Sequence, residues 1–176
     1  MPGSEQERFT ALYQAHYRHV YAYAVTRAGR DQADEVVADA FLVAWRRIND
    51  VPRSTPLPWL LGVTRNVTRE RFRAEARRRA VTAEMRIWVD NAADVADGVT
   101  ERATVLTALA QLSEDDRELL TLIAWHGLTP AQAARVLGCS TATYFVRLHR
   151  ARRRLEAAVA EPRTTGAPLR LKESIR

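Results

Sequence analysis

Apolar residues recur at three- and four-residue intervals along most of this chain, the spacing that gathers side chains on one face of an α-helix. From Glu5 to about Thr26 the row is Phe9, Leu12, Tyr13, His16, Val20, Tyr23 and Ala24, and Gly29 and Asp31 then punctuate it. A second helix is predicted from about Gln32 to Ile48, burying Val36, Val37, Ala40, Phe41, Ala44 and Ile48. Its outer face opens acidic with Asp34, Glu35 and Asp39 and closes basic with Arg46 and Arg47, a polarity that complements the helix dipole. Pro52, Pro56 and Pro58 in VPRSTPLP cannot lie inside one helix, so an exposed, stiff loop is expected there. A third helix should begin near Trp59, with Leu60, Val63, Val67 and Phe72 toward the core. Arg65, Arg69, Arg71, Arg73, Arg77, Arg78 and Arg79 should then project outward. Gly62 costs that helix about 1 kcal/mol relative to alanine, which implies close packing or an approached backbone.

The character changes after this arginine-rich helix. Glu84, Asp90, Asp94, Asp97 and Glu101 face only Arg86, which reads as an acidic connector, partly helical around Ile87 to Val89. Beyond it ERATVLTALAQL reads as a helix, and SEDDRELLTLIAW opens with an S-x-x-D box from Ser113 to Asp116. The segment LTPAQAARVLGCSTATYFVRLHRARRRLEAAV then gives two helices and a tight turn. Thr129 is the N-cap, Pro130 the first helical residue, and Gln132 completes the capping box. Ala133, Ala134 and Leu137 form the apolar face, Gly138 supplies a left-handed turn residue, and Ser140 can cap the next helix. In that next helix Tyr144, Leu148, Ala151 and Leu155 recur at helical spacing among Arg147, His149, Arg150, Arg152, Arg153 and Arg154. A steep helix pair whose second member carries arginines is the layout of a DNA-reading helix-turn-helix, because guanidinium groups contact phosphates or fork onto guanine edges.

The expected fold class is therefore all-α: two small helical domains joined by a flexible acidic linker, the C-terminal one containing the helix-turn-helix. The domains are placed at residues 5–80 and 102–160, the linker at 81–101, and a disordered tail at 161–176.

Composition narrows the partners. The chain has 176 residues, a net charge of +6 and a pI near 10.2, which favours a polyanion such as nucleic acid. Its positive charge is arginine except for Lys172. The opening MPGSEQERFT lacks a basic segment followed by an apolar run, and no stretch is apolar for long enough to span a bilayer, so a cytoplasmic protein without membrane insertion is expected. The only cysteine, Cys139, excludes an internal disulfide and reads as a small packed residue. Scattered histidines make no metal-ligand pattern, and no phosphate loop, nucleophile elbow or H-E-x-x-H is present, so neither an enzyme nor a cofactor or metal is expected.

Three stretches stand in a meaningful order: DEVVADAFLVAWRR at 34–47, PWLLGVTRNVTRERFRAEARRR at 58–79, and LSEDDRELLTLIAWHGLTPAQAARVLGCSTATYFVRLHRARRRL at 112–155. Together they resemble a bacterial sigma factor of the extracytoplasmic-function group, over roughly residues 7 to 158. The first resembles the helix that such factors dock on core RNA polymerase, which implies polymerase contacts at Glu35 and Asp39 with Asp34 and Arg46 beside them. Ala38 stands where the family commonly has glutamine.

The second stretch is similar to the family's W-L-x-x-I-A-R-N-x-x-x-D-x-x-R helix, which melts the minus-ten promoter element and holds an unstacked base. The resemblance implies Asn66 on the flipped base, Arg65, Arg69 and Arg73 on the backbone, and the loop from Asp50 to Leu57 around the pocket. Trp59 is either a core anchor or a stacking platform. Gly62 replaces a larger, often basic residue. The third stretch resembles the minus-thirty-five reader, which implies DNA contacts at Arg147, His149, Arg150 and Arg152, with Tyr144 and Phe145 also on that helix. Its ATYFVR departs from the usual G-T-V-K-S-R, so no promoter sequence transfers.

The implied function is a dissociable transcription-initiation subunit that binds core RNA polymerase, directs it to promoter DNA and helps melt the duplex, with an anti-sigma protein as a further partner. The alternative is a stand-alone helix-turn-helix regulator on operator DNA, which leaves the arginine-rich third helix unexplained. A nuclease would have to use Asp34, Glu35 and Asp39 as metal ligands. A membrane-surface protein would need a broader apolar face than these basic helices carry.

Overall fold

A computed structural model describes residues 2–81 and 101–160, and every described element is helical. The N-terminal half contains α1 (Pro2–Ala28), α2 (Arg30–Arg46), a single 3₁₀ turn (Ile48–Asp50) and α3 (Pro56–Val81). The C-terminal half contains α4 (Glu101–Gln111), α5 (Glu114–Ala124), α6 (Pro130–Leu137) and α7 (Thr141–Ala160). Of the expected linker at 81–101, Val81 ends α3 and Glu101 begins α4; its remaining residues, and the expected disordered tail at 161–176, lie outside the described residues.

Gly29 separates α1 from α2 with φ +78°, a left-handed conformation that lets the chain reverse in one residue. The facing surfaces of α1 and α2 are those of the periodic rows, Leu12, Val20, Tyr23 and Ala24 against Val36, Val37, Ala40, Phe41 and Ala44, all buried. After α2, Ile48 and Val51 turn inward, and the Arg8 guanidinium donates to the Val51 carbonyl at 2.6 Å, tying the start of the loop to α1. The loop is shorter than its prolines suggested. Pro56 and Pro58 belong to the first turn of α3, where the missing N–H leaves no intrahelical bond unmade.

The buried face of α3 also differs from the apolar row read along the sequence. Leu60, Leu61, Thr64 and Thr68 are buried, whereas Val63, Val67 and Phe72 are half-exposed. The two threonine hydroxyls donate to the carbonyls four residues back, at 2.8 Å and 2.9 Å, so their burial leaves no orphaned donor. Gly62 is not closely approached: a Cβ added there would meet nothing within 4 Å.

In the C-terminal half α7 packs against α4, α5 and α6. Ser113 caps α5 by accepting from the Asp116 N–H. Thr129 and Gln132 form the reciprocal capping box of α6, at 3.3 Å and 2.9 Å. Gly138 ends α6 with φ +69°, and Ser140 accepts from the Thr143 N–H at 3.1 Å to start α7. The turn is thereby fixed at both ends by side-chain bonds and a left-handed glycine. Cys139 packs against the core beside it, half-buried and in no disulfide.

Candidate nucleic-acid interface

The exposed side of α7 carries the cations. Arg147, His149, Arg150 and Arg152 are all exposed, and Phe145 is 53% exposed among them. Arg154 turns away to an ion pair with Asp116 at 2.7 Å. Tyr144 is not a groove contact. It is fully buried, and its hydroxyl donates to the Leu119 carbonyl at 2.9 Å, which locks α7 onto α5. Burial above all, against a partial offset from Arg152, pushes its phenol up to about 12. The helical spacing had placed Tyr144 with Leu148 and Ala151, and that apolar row decides its role.

On α3, Asn66, Arg69 and Arg73 are exposed along one side. Trp59 is half-buried against the core with the Arg47 guanidinium 5.9 Å from its ring centroid, an arrangement suited to an anchor capped by a cation. Beside the start of α3 an open pocket of about 530 Å³ is bounded by Arg8, Leu12, His16, Val51, Arg53 and Pro56. Burial, then the neighbouring His19, lowers the His16 imidazole, which favours its neutral form at the pocket wall.

Two of the arginines expected to project outward are engaged elsewhere. Arg71 reaches back to α2, donating to Asp39 from Nη2 at 2.6 Å and Nε at 3.0 Å, and to Glu35 from Nη1. Those hydrogen bonds raise its pKa further above the ordinary arginine value. The two acids of the docking expectation therefore already hold an intramolecular cation, while Asp34 and Arg46 stay exposed. Tyr13, Leu42 and Trp45 are exposed near this acidic strip, with Trp45 edge-on to Phe9 at 5.2 Å between centroids.

Arg65 is the second. Its Nε donates to Glu118 of α5 at 3.0 Å, and its side chain is only 14% exposed, so in this arrangement it is not available to a DNA backbone. Sequence reasoning passed over Glu118 and set Arg71 among the outward-facing arginines without its partners. A signal existed for the first: Glu118 stands three and four residues before Thr121 and Leu122, on the face that the helical period buries. None existed for Arg71, one arginine among many on its helix.

A bundle with an open pocket and an arginine-lined helix, followed by a bundle ending in a capped helix-turn-helix, is the arrangement of a two-domain transcription-initiation factor. Residues 12–78 match the sigma-70 region 2 model and residues 102–155 match the sigma-70 region 4 model. The ECF RNA polymerase sigma factor SigL of Mycobacterium tuberculosis is 30% identical over 165 residues, spanning 90% of this chain and 93% of that protein. SigK of a Mycobacterium species is 31% identical over 146 residues, spanning 78% and 75%. Among solved structures, the sigma factor RpoE of Bartonella quintana, in complex with the anti-sigma factor NepR, aligns with a TM-score of 0.71 at 25% identity. That alignment covers 86% of this chain and 96% of RpoE. CnrH, in complex with the cytosolic domain of CnrY, aligns with a TM-score of 0.59 at 29% identity, covering 86% and 87%. The chain belongs to the extracytoplasmic-function sigma factors and is a transcription-initiation factor. A stand-alone regulator is not favoured, because it leaves the region 2 match without a role.

Proposed function

We propose that this chain acts in the cytoplasm as a dissociable subunit that docks on core RNA polymerase through the exposed face of α2, with Glu35, Asp39, Asp34 and Arg46 as the contact residues. Nucleotide chemistry belongs to the polymerase, and this chain catalyses no bond change. Asn66, Arg69 and Arg73 on α3 meet the minus-ten strand, and Arg65 joins them once freed from Glu118. The pocket at Arg8, His16 and Arg53 accepts an unstacked base, since an extruded base needs a cavity and its phosphates need cations. Trp59 supports the wall of that region as an anchor. Arg147, His149, Arg150 and Arg152 read or hold the minus-thirty-five duplex, and Phe145 faces thymine methyl groups.

The observation that carries this reading is the exposed cation row on α7 together with the exposed side of α3, one for duplex and one for single strand. The solved RpoE, seen with the anti-sigma factor NepR, supports an anti-sigma partner for this chain as well. Co-elution with purified bacterial core RNA polymerase tests the docking face. Glu35→Gln combined with Asp39→Asn is expected to abolish co-elution while helix content is kept; undiminished binding by that variant would reject α2 as the docking helix. Neutral substitutions are used because an arginine at position 39 would repel Arg71 and disturb the bundle itself.

A further inference from the structure

The exposed side of α7 is apolar where the helix begins and basic where it ends. Among the described residues Phe145 and Val146 are the two most exposed large apolar side chains, each 53% exposed. Tyr144, Leu148 and Ala151 are buried and fix which side of α7 turns inward. At about 100° per residue, Ala142 and Val146 then point about 160° away from Tyr144, and Phe145 about 100° away. Two outward rows follow, Ala142, Val146, Arg150 and Arg153 on one line and Phe145, His149 and Arg152 on the other, all of them exposed. Each row therefore passes from apolar to cationic within about two turns. The Thr143 hydroxyl at the same end is held by Ser140 at 2.8 Å, as part of the cap.

This order suits a helix entering a major groove, where the first residues reach base edges and the later ones lie near the phosphates. An arginine at the front would fork onto guanine, and an asparagine or glutamine onto adenine; Phe145 and Val146 carry no group for either. The apolar feature that the groove floor offers is the C5 methyl of thymine. A guanine or cytosine edge beneath a phenyl ring or an isopropyl group would lose water without gaining a hydrogen bond, so the same side chains also disfavour G·C pairs. Neighbouring Cα atoms are about 3.8 Å apart and neighbouring bases on a strand about 3.4 Å, so the pair covers two adjacent base pairs. Charge selects the occupant. A duplex presents methyl groups and, roughly 6–10 Å further along the helix, phosphates for Arg150 and Arg153.

We propose that Phe145 and Val146 read thymine methyl groups on two adjacent base pairs, so that the minus-thirty-five element of this factor carries A·T pairs at that step. The proposal rests on the assignment of α7 to the minus-thirty-five duplex and adds the class of sequence that α7 accepts. Each methyl lost from such a contact should weaken binding about fourfold, and two together about fifteenfold.

The full-length chain is used to select from duplexes with a randomised window, and the enriched duplex is remade with deoxyuridine in place of thymine at each position in turn. Uracil keeps every hydrogen-bonding group of thymine and lacks the methyl alone. Two adjacent positions should show the loss. In Phe145→Ala combined with Val146→Ala, exposed sites where alanine keeps the helix, the thymine duplex should bind as weakly as the uracil duplex binds the natural chain, and uracil should make no further difference. The salt dependence of binding should not change, because no phosphate contact is removed. Equal affinity of the natural chain for thymine and uracil duplexes overturns the proposal and leaves the apolar pair to a protein partner. So does an enriched duplex without thymine, or a full uracil effect in the double variant, which would place the methyl contact on other residues. A chain that retains no duplex at all removes α7 from DNA and overturns the proposal with its premise, whereas retention without any thymine dependence counts against methyl reading alone.

Discussion

Acid should loosen the packing of α5 on α1, through His126. This imidazole sits on the turn after α5, 6% exposed, and faces His19 and Tyr23 of α1, with Arg27 and Glu118 beyond them. Burial, and then the proximity of His19, lowers its pKa from 6.5 to about 4. Tyr23 does not compensate, because burial and the neighbouring Glu118 hold its phenol protonated well above the ordinary range. A group whose charged form is disfavoured in the packed state contributes fully above its unperturbed pKa and is lost as the pH falls toward the packed value. Taking 6.5 for a hydrated imidazole and 4 for the packed one, the packing weakens by roughly 2 kcal/mol between pH 8 and pH 5. That is about a thirtyfold shift in the equilibrium constant for this packing. A nuclear magnetic resonance titration of the imidazole resonances, with His126→Gln to assign the signal, measures the midpoint directly. The expected midpoint is near 4 in the natural chain. A midpoint near 6.5 in the natural chain would show that His126 is hydrated there and would refute the argument.

Gly62→Ala should stabilise the chain by about 0.5–1 kcal/mol, since the added methyl meets nothing and the helix loses a flexible residue. The melting temperature should rise by about 2–4 °C per kcal/mol, and a fall would mean that the helix needs glycine there. Tyr144→Phe should cost about 1 kcal/mol by removing the hydroxyl's hydrogen bond to the Leu119 carbonyl while leaving duplex affinity unchanged; weakened DNA binding at full stability would restore Tyr144 to the interface. Arg150→Ala should weaken duplex binding and lower the salt dependence of log Kd by about one phosphate contact, and an unaltered slope would remove Arg150 from the backbone contacts.

Much of the architecture was legible because it rests on local rules. The periodic row of α2 named Val36, Val37, Ala40, Phe41 and Ala44 as buried and missed Ala33, and the capping box, left-handed glycine and Ser140 cap define the turn between α6 and α7 from local residues alone. The readings that failed concern residues whose fate is set by a distant partner. Arg65 and Arg71 look alike on a helical wheel crowded with arginine, yet one meets Glu118 and the other meets Glu35 and Asp39. Thr64 and Thr68 replaced Val63 and Val67 in the core because a threonine can satisfy its hydroxyl on its own helix, which hydrophobicity alone does not register. Gly62 looked like a close-packing residue and borders open space.

The clamp of Arg71 on Glu35 and Asp39 turns the proposed docking at α2 into an exchange. A basic residue of a partner replaces Arg71 there instead of meeting two bare carboxylates, so one ion pair is traded for another and ionic strength should alter the affinity only weakly. The displaced guanidinium stays on α3, the helix that presents Asn66, Arg69 and Arg73. On the proposed roles, binding on one side therefore adds a positive charge on the side assigned to nucleic acid. By thermodynamic reciprocity DNA held there favours the partner in return, so that a single arginine couples the two surfaces with positive cooperativity.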